Sequence, residues 1–600
     1  MTKRLWKSTL LMLVCAIMVF TAACGSNNSN SNSNNNSNNS GSSSTDTSTG
    51  TEASSNDAGE TREEITLDVF SMLANYAGEQ PGWFAKLAKD KFNIKLNIIA
   101  SNLAGGQQKI ATMMASGDLG DLVVFGSNGK DYQDAIKAGL LLDWTKDDML
   151  NQYGKGMLEY APEAIEANKK QFGDGTSVYG IGFDVGTGDG PSEGATMTYG
   201  PNLRWDLYQK LGSPEIKTLN DYLPVLKQMQ ELEPKSESGR PTYGISLWSD
   251  WDGNYMTLAK VVSQFYGYNE GDGLNPAGLI LTHQNEDKWQ GVLDEDGHYL
   301  QGLKFYYDAN QMGLLDPDSL TQKFSDVSSK FQDGQVLFSH FPWVDNVYNT
   351  PERTAQGKGL ALVPFSEEKI TSYGQSPYGG NRVWAIGAKA KDPARVMEFI
   401  DWLYTPEGVM ESNYGPKGLA WDLDENGKPF VTEYGWKALP ANAEPVPAEF
   451  GGGTFKDGTN QINNTTLKLT NIHPETGEPY DYNIWTSTLN HNPDPVTQSW
   501  REAMGVMTAK EYFVKHDMIE VSKPFFTTET PATPSAQIQQ MTTGIGKIIK
   551  EYSWKMIFAK NEAEFNKLKD EMITKAKGLG YDEVIQYEVE LAEKTVFPNR

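Results

Sequence analysis

Cysteine is almost missing from this chain: of 600 residues only Cys15 and Cys24 carry a thiol, and both stand near the N-terminus. The body of the chain therefore has no disulfide framework and no cysteine zinc site. Histidine is nearly as scarce, with six dispersed residues and no H-E-x-x-H pair, so a histidine metal centre finds no support. Basic side chains are outnumbered, 52 Lys and Arg against 78 Asp and Glu, for a formal charge of −26. A surface of that sign repels nucleic acid and bare anionic lipid, although local basic pockets are compatible with it. Also missing are an apolar run of the roughly 20 residues that a spanning helix needs, and any G-x-S-x-G, Walker A or dinucleotide fingerprint. No internal repeat is visible, which argues against solenoids and propellers.

What is present begins with an address segment. Lys3, Arg4 and Lys7 precede an apolar stretch from Leu10 to Phe20, and Thr21-Ala22-Ala23 leads into Cys24, the pattern of a secretory signal over residues 1–23. Loss of that signal would remove three positive charges and make the mature chain more acidic still. Small residues before Cys24 and Gly25 after it resemble the lipobox of bacterial lipoproteins, with Thr21 where that motif usually has Leu. The resemblance implies acylation of Cys24 and a lipid-anchored protein on the outer face of the cell membrane. Residues 24–60 are rich in Asn, Ser, Thr and Gly and cannot bury enough surface to offset ordering their backbone. They are expected to form a tether with a reach of roughly 30 to 35 Å.

The remaining length is too great for one hydrophobic core and suggests two lobes. Ile65 to Phe70 alternates and then turns apolar, as a strand does; a helix over 82–92, a strand over 94–99, a helix over 107–115 and the apolar run Asp121 to Phe125 follow. That alternation predicts an α/β fold with a parallel sheet. Thr218, with Asp221 three residues on, caps a helix carrying Tyr222, Leu223, Leu226 and Met229 on one face. Strands are expected at 243–247, 335–339 and 359–363, and a helix at 303–313. A further helix opens at Asp392-Pro393 and ends before Pro406, and another runs from Asn561 to the glycines at 578 and 580.

Several segments taken in order resemble the extracellular solute-binding proteins of type 1, especially the long lipoprotein members of Gram-positive oligosaccharide importers. They are Arg204-Trp205-Asp206-Leu207-Tyr208 through Lys210-Leu211-Gly212, Gly313-Leu314-Leu315-Asp316-Pro317, Gly359 to Pro364, Tyr378-Gly379-Gly380-Asn381-Arg382, and Phe399 to Gly408. The resemblance implies a two-lobed binding-protein fold over 65–600 with a hinge and an interlobe ligand cleft. Lobe 1 is expected at about 65–185 and 365–405, and lobe 2 at about 186–364 and 406–600. Crossings are expected near 183–190, near 363–365 and after the helix at Pro406. It further implies a carbohydrate ligand, the permease subunits of an ABC transporter as partners, a monomer, and no catalysis.

A sugar presents apolar C–H faces and a rim of hydroxyls, so its receptor needs flat aromatic rings and groups that both donate and accept hydrogen bonds. With 15 Trp and 27 Tyr the chain is well supplied with rings. Ligands gather at the carboxyl ends of strands in α/β sheets, and that rule selects candidates. Trp248, Asp250, Trp251 and Asp252 follow the strand ending at Leu247, and Trp343 and Asp345 follow the one ending near Ser339. Asn75, Tyr76, Ser127 and Asn128 follow the first-lobe strands; Tyr378, Asn381 and Arg382 precede one. Alternatives stand beside each. Trp343 also suits a core, Arg204 either faces the cleft or pairs with Asp206 or a helix end, and Arg382 either meets ligand or fixes the hinge by a salt bridge. No cofactor is expected. Asp422, Asp424, Asn426 and Glu433 match the spacing of a calcium loop, but Pro429 lies within it and Asp-Glu-Asn-Gly-Lys is also an ordinary hairpin turn. Asp250 and Asp252 would be the acid and nucleophile of a glycosidase if the chain were an enzyme, and a peptide or other polar solute is the rival ligand class.

Overall fold

The computed structural model describes residues 62–101, 106–188, 190–270, 278–441, 444–524, 526, 528 and 534–597. The expected signal, Cys24 and the tether lie outside the described residues. Within them no helix is long and apolar enough to cross a membrane.

A six-stranded sheet organises the first lobe, in the order Gly78–Glu79, Ile94–Ala100, Ile65–Ser71, Leu122–Phe125, Val383–Ile386, Ile181–Gly182. Ile65–Ser71 pairs in parallel with both neighbours, as the strand and helix alternation predicts. Its side chains alternate between two cores: Leu67, Val69, Leu122 and Val124 face one, and Phe70, Val123 and Phe125 the other. All four residues of Leu122–Phe125 are buried, which is why that strand reads as a continuous apolar run. Helices Gly82–Phe92 and Pro393–Leu403 cover the first face, with Phe84 6.2 Å from Phe399 and 6.4 Å from Trp402, centroid to centroid.

Val383–Ile386 runs antiparallel to Leu122–Phe125, with Val383 opposite Phe125. The reason is topological: the chain reaches this strand from the second lobe and enters the sheet where Leu122–Phe125 leaves it. The loops after Phe125 and before Val383 therefore share one sheet edge.

The second lobe packs the antiparallel ribbon Phe338–Ser339, Asn202–Arg204 and Leu360–Leu362 among helices, including Tyr222–Leu232, Thr257–Gln264, His298–Gln311 and Ala536–Ile557. The Thr218 and Asp221 capping box forms as expected. Tyr243 to Leu247 is extended but makes only isolated bridges, Tyr243 to Val336 and Ile245 to Leu315. Packing corrects the expected lobe boundaries. Val363, Phe365 and Ile370 remain in the second-lobe core, and residues from Val409 to Trp485 belong to the first, so the 406–600 assignment holds only from about Val496. The crossings accordingly lie at 185–199, 372–383 and 485–496; the first overlaps the range expected for it, the second comes later than its expected place, and the third falls after the Pro406–Tyr414 helix.

Two buried charged groups show how differently such residues are handled. Arg204 is 0% exposed and meets Asp206 with two bonds of 2.9 Å, Glu233 at 3.1 Å and the Tyr348 ring at 4.6 Å, so its fork is fully engaged. Glu368 is 1% exposed and neither carboxyl oxygen has a hydrogen-bond partner. Burial pushes its carboxyl well above the ordinary value of 4.5. The folded state thus holds a proton that the unfolded state releases once the pH passes about 4.5, and stability contributed by this group falls as pH rises through that window. Glu368→Gln is expected to raise stability at pH 7 by on the order of 1 kcal/mol. Parallel denaturant melts of the two proteins should show a gain that is small near the acid end and grows toward neutrality.

Candidate functional site

At the shared edge of the first-lobe sheet lies a cleft of about 280 Å³. Its lining joins the loop after Phe125 (Asn128), the helix Pro162–Phe172 (Asn168, Gln171, Phe172), the loop before Val383 (Tyr378, Gly379, Gly380, Asn381) and Phe526. Asn168 is committed to the fold, donating to the Tyr132 hydroxyl at 2.8 Å and accepting from the Tyr179 amide at 3.1 Å. Asn128, Gln171 and Asn381 differ. Their side-chain amides form no hydrogen bond among the described residues, and each offers both a donor pair and an acceptor. Ser127 is exposed and accepts from the Gly129 amide at 3.3 Å, shaping the turn.

The loop before Val383 is pressed onto the first crossing segment. The Gly380 amide donates to Phe183 O at 2.6 Å and the Phe183 amide to Arg382 O at 3.1 Å. A Cβ at Gly380 would lie 2.3 Å from the Phe183 ring, and Gly379, with φ +73°, has no room beside Gly182. These glycines are needed for close backbone approach. Tyr378 packs on Phe526 with centroids 5.4 Å apart. Arg382 lays its guanidinium 4.8 Å over the Phe183 ring, a cation–π contact that replaces the salt bridge considered for it.

The second lobe contributes an aromatic shelf. Trp343 is 46% and Trp251 38% exposed; their rings are 6.0 Å apart at 25°, close to parallel. Trp343 takes this place because Pro342 opens the helix Pro342–Tyr348 and puts the next residue on its first turn. Beneath the pair, Phe324 lies 4.8 Å from Trp251 and Phe341 5.6 Å from Trp343, and the buried Trp248 meets Trp251 edge-on at 5.0 Å. Tyr199 extends the rings toward the crossings, 5.9 Å from Phe341 and 6.5 Å from Tyr373, with the two tyrosine hydroxyls 2.9 Å apart.

The carboxylates of this region position the loop. Asp250 accepts from the Phe324 amide at 3.0 Å, and Asp252 accepts from the Thr257 amide at 2.9 Å and Trp554 Nε1 at 2.7 Å. Burial raises the Asp252 carboxyl.

Several expected site residues sit elsewhere. Asp345 is 6% exposed and burial pushes its carboxyl well up, so it belongs to the lobe interior. Arg204, enclosed by its two carboxylates and Tyr348, also does not reach the cleft. Tyr76 is bound into its own loop, donating to Glu79 O at 2.7 Å, and neither it nor the exposed Asn75 lines the cleft. The residues of the calcium alternative, Asp422, Asp424, Asn426 and Glu433, fall on a hairpin and the helix after it. Trp421–Leu423 and Pro429–Val431 form a hairpin whose turn is closed by Asp424, which accepts from the Asn426 and Lys428 amides at 2.8 Å each. Glu433 opens the following helix, and the described residues contain no metal-holding group of His, Cys, Asp and Glu. Phe324, Phe341, Tyr199, Tyr373, Gln171 and Phe526 were not selected by the strand-end rule. Only Phe341, next to the Trp343 segment, carried a usable signal.

Solved structures similar to this chain are of one kind. The alginate-binding protein AlgQ2 without calcium ion is 19% identical at a TM-score of 0.53, over 89% of this chain and 99% of that one. The Streptococcus pneumoniae ABC-transporter substrate-binding protein FusA in complex with kestose is 17% identical at 0.56, over 88% and 99%. An extracellular solute-binding protein of Bifidobacterium longum subsp. infantis is 14% identical at 0.55, over 88% and 98%. At such identities these likenesses establish the two-lobed fold. No curated protein matches the sequence. Residues 82–419, more than half of the chain, match the model of the bacterial extracellular solute-binding protein family. With an interlobe fold, an open cleft and carboxylates spent on holding loops, the chain belongs to that family and is a binding protein rather than an enzyme.

Proposed function

We propose that this protein captures an oligosaccharide between its lobes and delivers it to the permease of an ABC importer while anchored to the outer face of the membrane through acylated Cys24. The observation that carries the reading is the pair of exposed, nearly parallel tryptophans, Trp251 and Trp343, on one lobe, together with the unengaged amides of Asn128, Gln171 and Asn381 on the other. Large apolar rings left in water cost free energy unless a ligand covers them, and C–H faces of pyranose or furanose rings are the ligand surface they match. The amides then bond the hydroxyl rim, replacing the water it loses. The similar alginate-binding protein, the kestose complex of FusA and an N-glycan transport protein of Streptococcus pneumoniae support the same ligand class.

Binding works here by closure. Shelf and cleft sit on lobes joined by the crossing segments, and a chain of rings bridging them favours the closed arrangement by its differential contacts.

Calorimetry against a panel of neutral and acidic oligosaccharides and of peptides tests the proposal; binding of peptides but of no glycan would transfer the site to a different solute class. For a glycan that binds, Trp343→Ala and Trp251→Ala are each expected to weaken affinity by about 10-fold to 100-fold with little change in melting temperature, because both rings are exposed. Trp248→Ala, at a position 2% exposed, is expected instead to cost about 3 to 5 kcal/mol of stability. Solution scattering should show a smaller radius of gyration on adding the same glycan. Cys24→Ser is expected to abolish fatty-acid labelling and to release the protein into the medium.

A further inference from the structure

Resting on the carbohydrate reading, we infer that the site selects uncharged glycans and discriminates against uronates and other acidic sugars, with Asn128, Gln171, Asn381 and Asp250 as the residues that set this preference. The observation is the chemistry of both halves of the site. Every residue lining the first-lobe cleft is neutral, and its hydrogen-bonding side chains are amides and hydroxyls. Beside the second-lobe shelf stands the exposed carboxylate of Asp250, which is held there by the Phe324 amide at 3.0 Å and has no ion-pair partner among the described residues; the exposed Lys323 is next to Phe324 in the chain.

Arg382 and Lys468, which flank the cleft wall and the first crossing, are engaged within the protein. Arg382 follows the lining residue Asn381 but rests on the Phe183 ring at 4.8 Å and is not part of the lining. Lys468, which bonds the first crossing segment through its backbone, pairs with Asp184 at 2.8 Å. A ligand carboxylate entering a cleft walled by Phe172, Tyr378 and Phe526 would give up its hydration and meet no counter-charge. At the shelf it would come within about 10 Å, one Debye length, of a like charge, inside the field of a chain with formal charge −26. A hydroxyl in the same place loses nothing, because an amide donates to it and accepts from it. The amides are therefore a selection device as well as a binding surface: they satisfy both the donor and the acceptor of a hydroxyl, and to an anion they offer donors without the counter-charge that a lysine or arginine would add.

The test uses the full chain and matched pairs that differ only in charge: cello-oligosaccharides against their C6-oxidised counterparts, and galactan oligomers against oligogalacturonates. For whichever neutral oligomer binds, calorimetry is expected to show the acidic partner at least about 30-fold weaker at low salt, with the gap narrowing as salt is raised. Asn381→Lys, at an exposed position that the fold tolerates, is expected to narrow the gap by strengthening the acidic partner, and Asp250→Asn to narrow it further. An acidic oligomer that binds the unaltered protein as tightly as its neutral partner, or more tightly, overturns this inference and leaves the carbohydrate reading standing. Failure of every pair with protein shown to be folded by circular dichroism overturns both.

Discussion

The backbone ribbon formed by the first and second crossing segments is the interaction on which the rest of the site depends. The Gly380 amide donates to Phe183 O, the Phe183 amide donates to Arg382 O, and the Gly186 amide donates to Ser376 O at 2.8 Å. Farther along, Gln375 reaches Pro191 O at 3.1 Å and Thr187, and the Ser372 hydroxyl bonds Glu193 and the Ser192 amide. Main-chain pairing of this kind is insensitive to side-chain identity but unforgiving of Cβ atoms, which explains the two glycines where the strands approach most closely. It fixes the cleft wall carrying Tyr378 and Asn381 directly to the connection about which the lobes turn. Any ligand that touches that wall is in mechanical contact with the hinge.

Around this ribbon the structure separates groups that hold from groups that meet ligand. Asp250, Asp252 and Trp248 hold: two carboxylates bond backbone amides at loop and helix ends, and a buried indole sets the tilt of its exposed neighbour. Trp251 and Trp343 are exposed and belong to the proposed ligand surface. The separation matters because an aromatic platform gains affinity only if its rings are already fixed before binding, so that little rotamer freedom remains to be lost. Asp252 illustrates the cost, since its carboxyl is raised by burial while it ties Trp554 of a C-terminal helix to the shelf loop. The long helices at the end of the chain are thus part of the shelf's foundation.

Much of this was readable in the sequence, for identifiable reasons. The parallel strands of the first lobe followed from apolar runs of the right length between amphipathic helices, and the Thr218 cap from a side-chain pattern that acts locally. Trp251, Trp343, Asn128, Tyr378 and Asn381 were candidates in loops at strand ends, and the structure places them on the shelf or in the cleft lining. Asp345 shows the limit of that rule, which knows the strand end but not the direction of the side chain, while Arg204 takes the alternative of pairing with Asp206. Gln171 and Phe526 were missed because they come from a helix and from a segment after Ile519–Val521, far away in sequence and near only through the fold. The calcium spacing has a local account: within so short a hairpin Asp424 accepts both turn amides through one carboxylate oxygen, Oδ1, so the same residues serve an ordinary turn.

The lobe boundaries were the largest departure, and they bear on mechanism. Because Val409 to Trp485 returns to the first lobe, the chain crosses between lobes three times, and the described crossings meet one another. The Ala509 amide, just beyond the third, bonds Ala195 O of the first at 3.1 Å, and Gly194 runs so near the Asp481 carboxylate that a Cβ there would sit 2.9 Å from it. Glu193, buried and raised by that burial, lies in this junction with the Ser372 hydroxyl of the second crossing, and Lys510, lowered by burial, feels the charges of Glu193 and Asp481. Two bodies joined by one strand can twist and slide; two bodies joined by three adjacent strands can do little except open and shut along the line of the junction. Under the proposed function, that restriction keeps the tryptophan shelf and the amide cleft in register as the lobes open and shut.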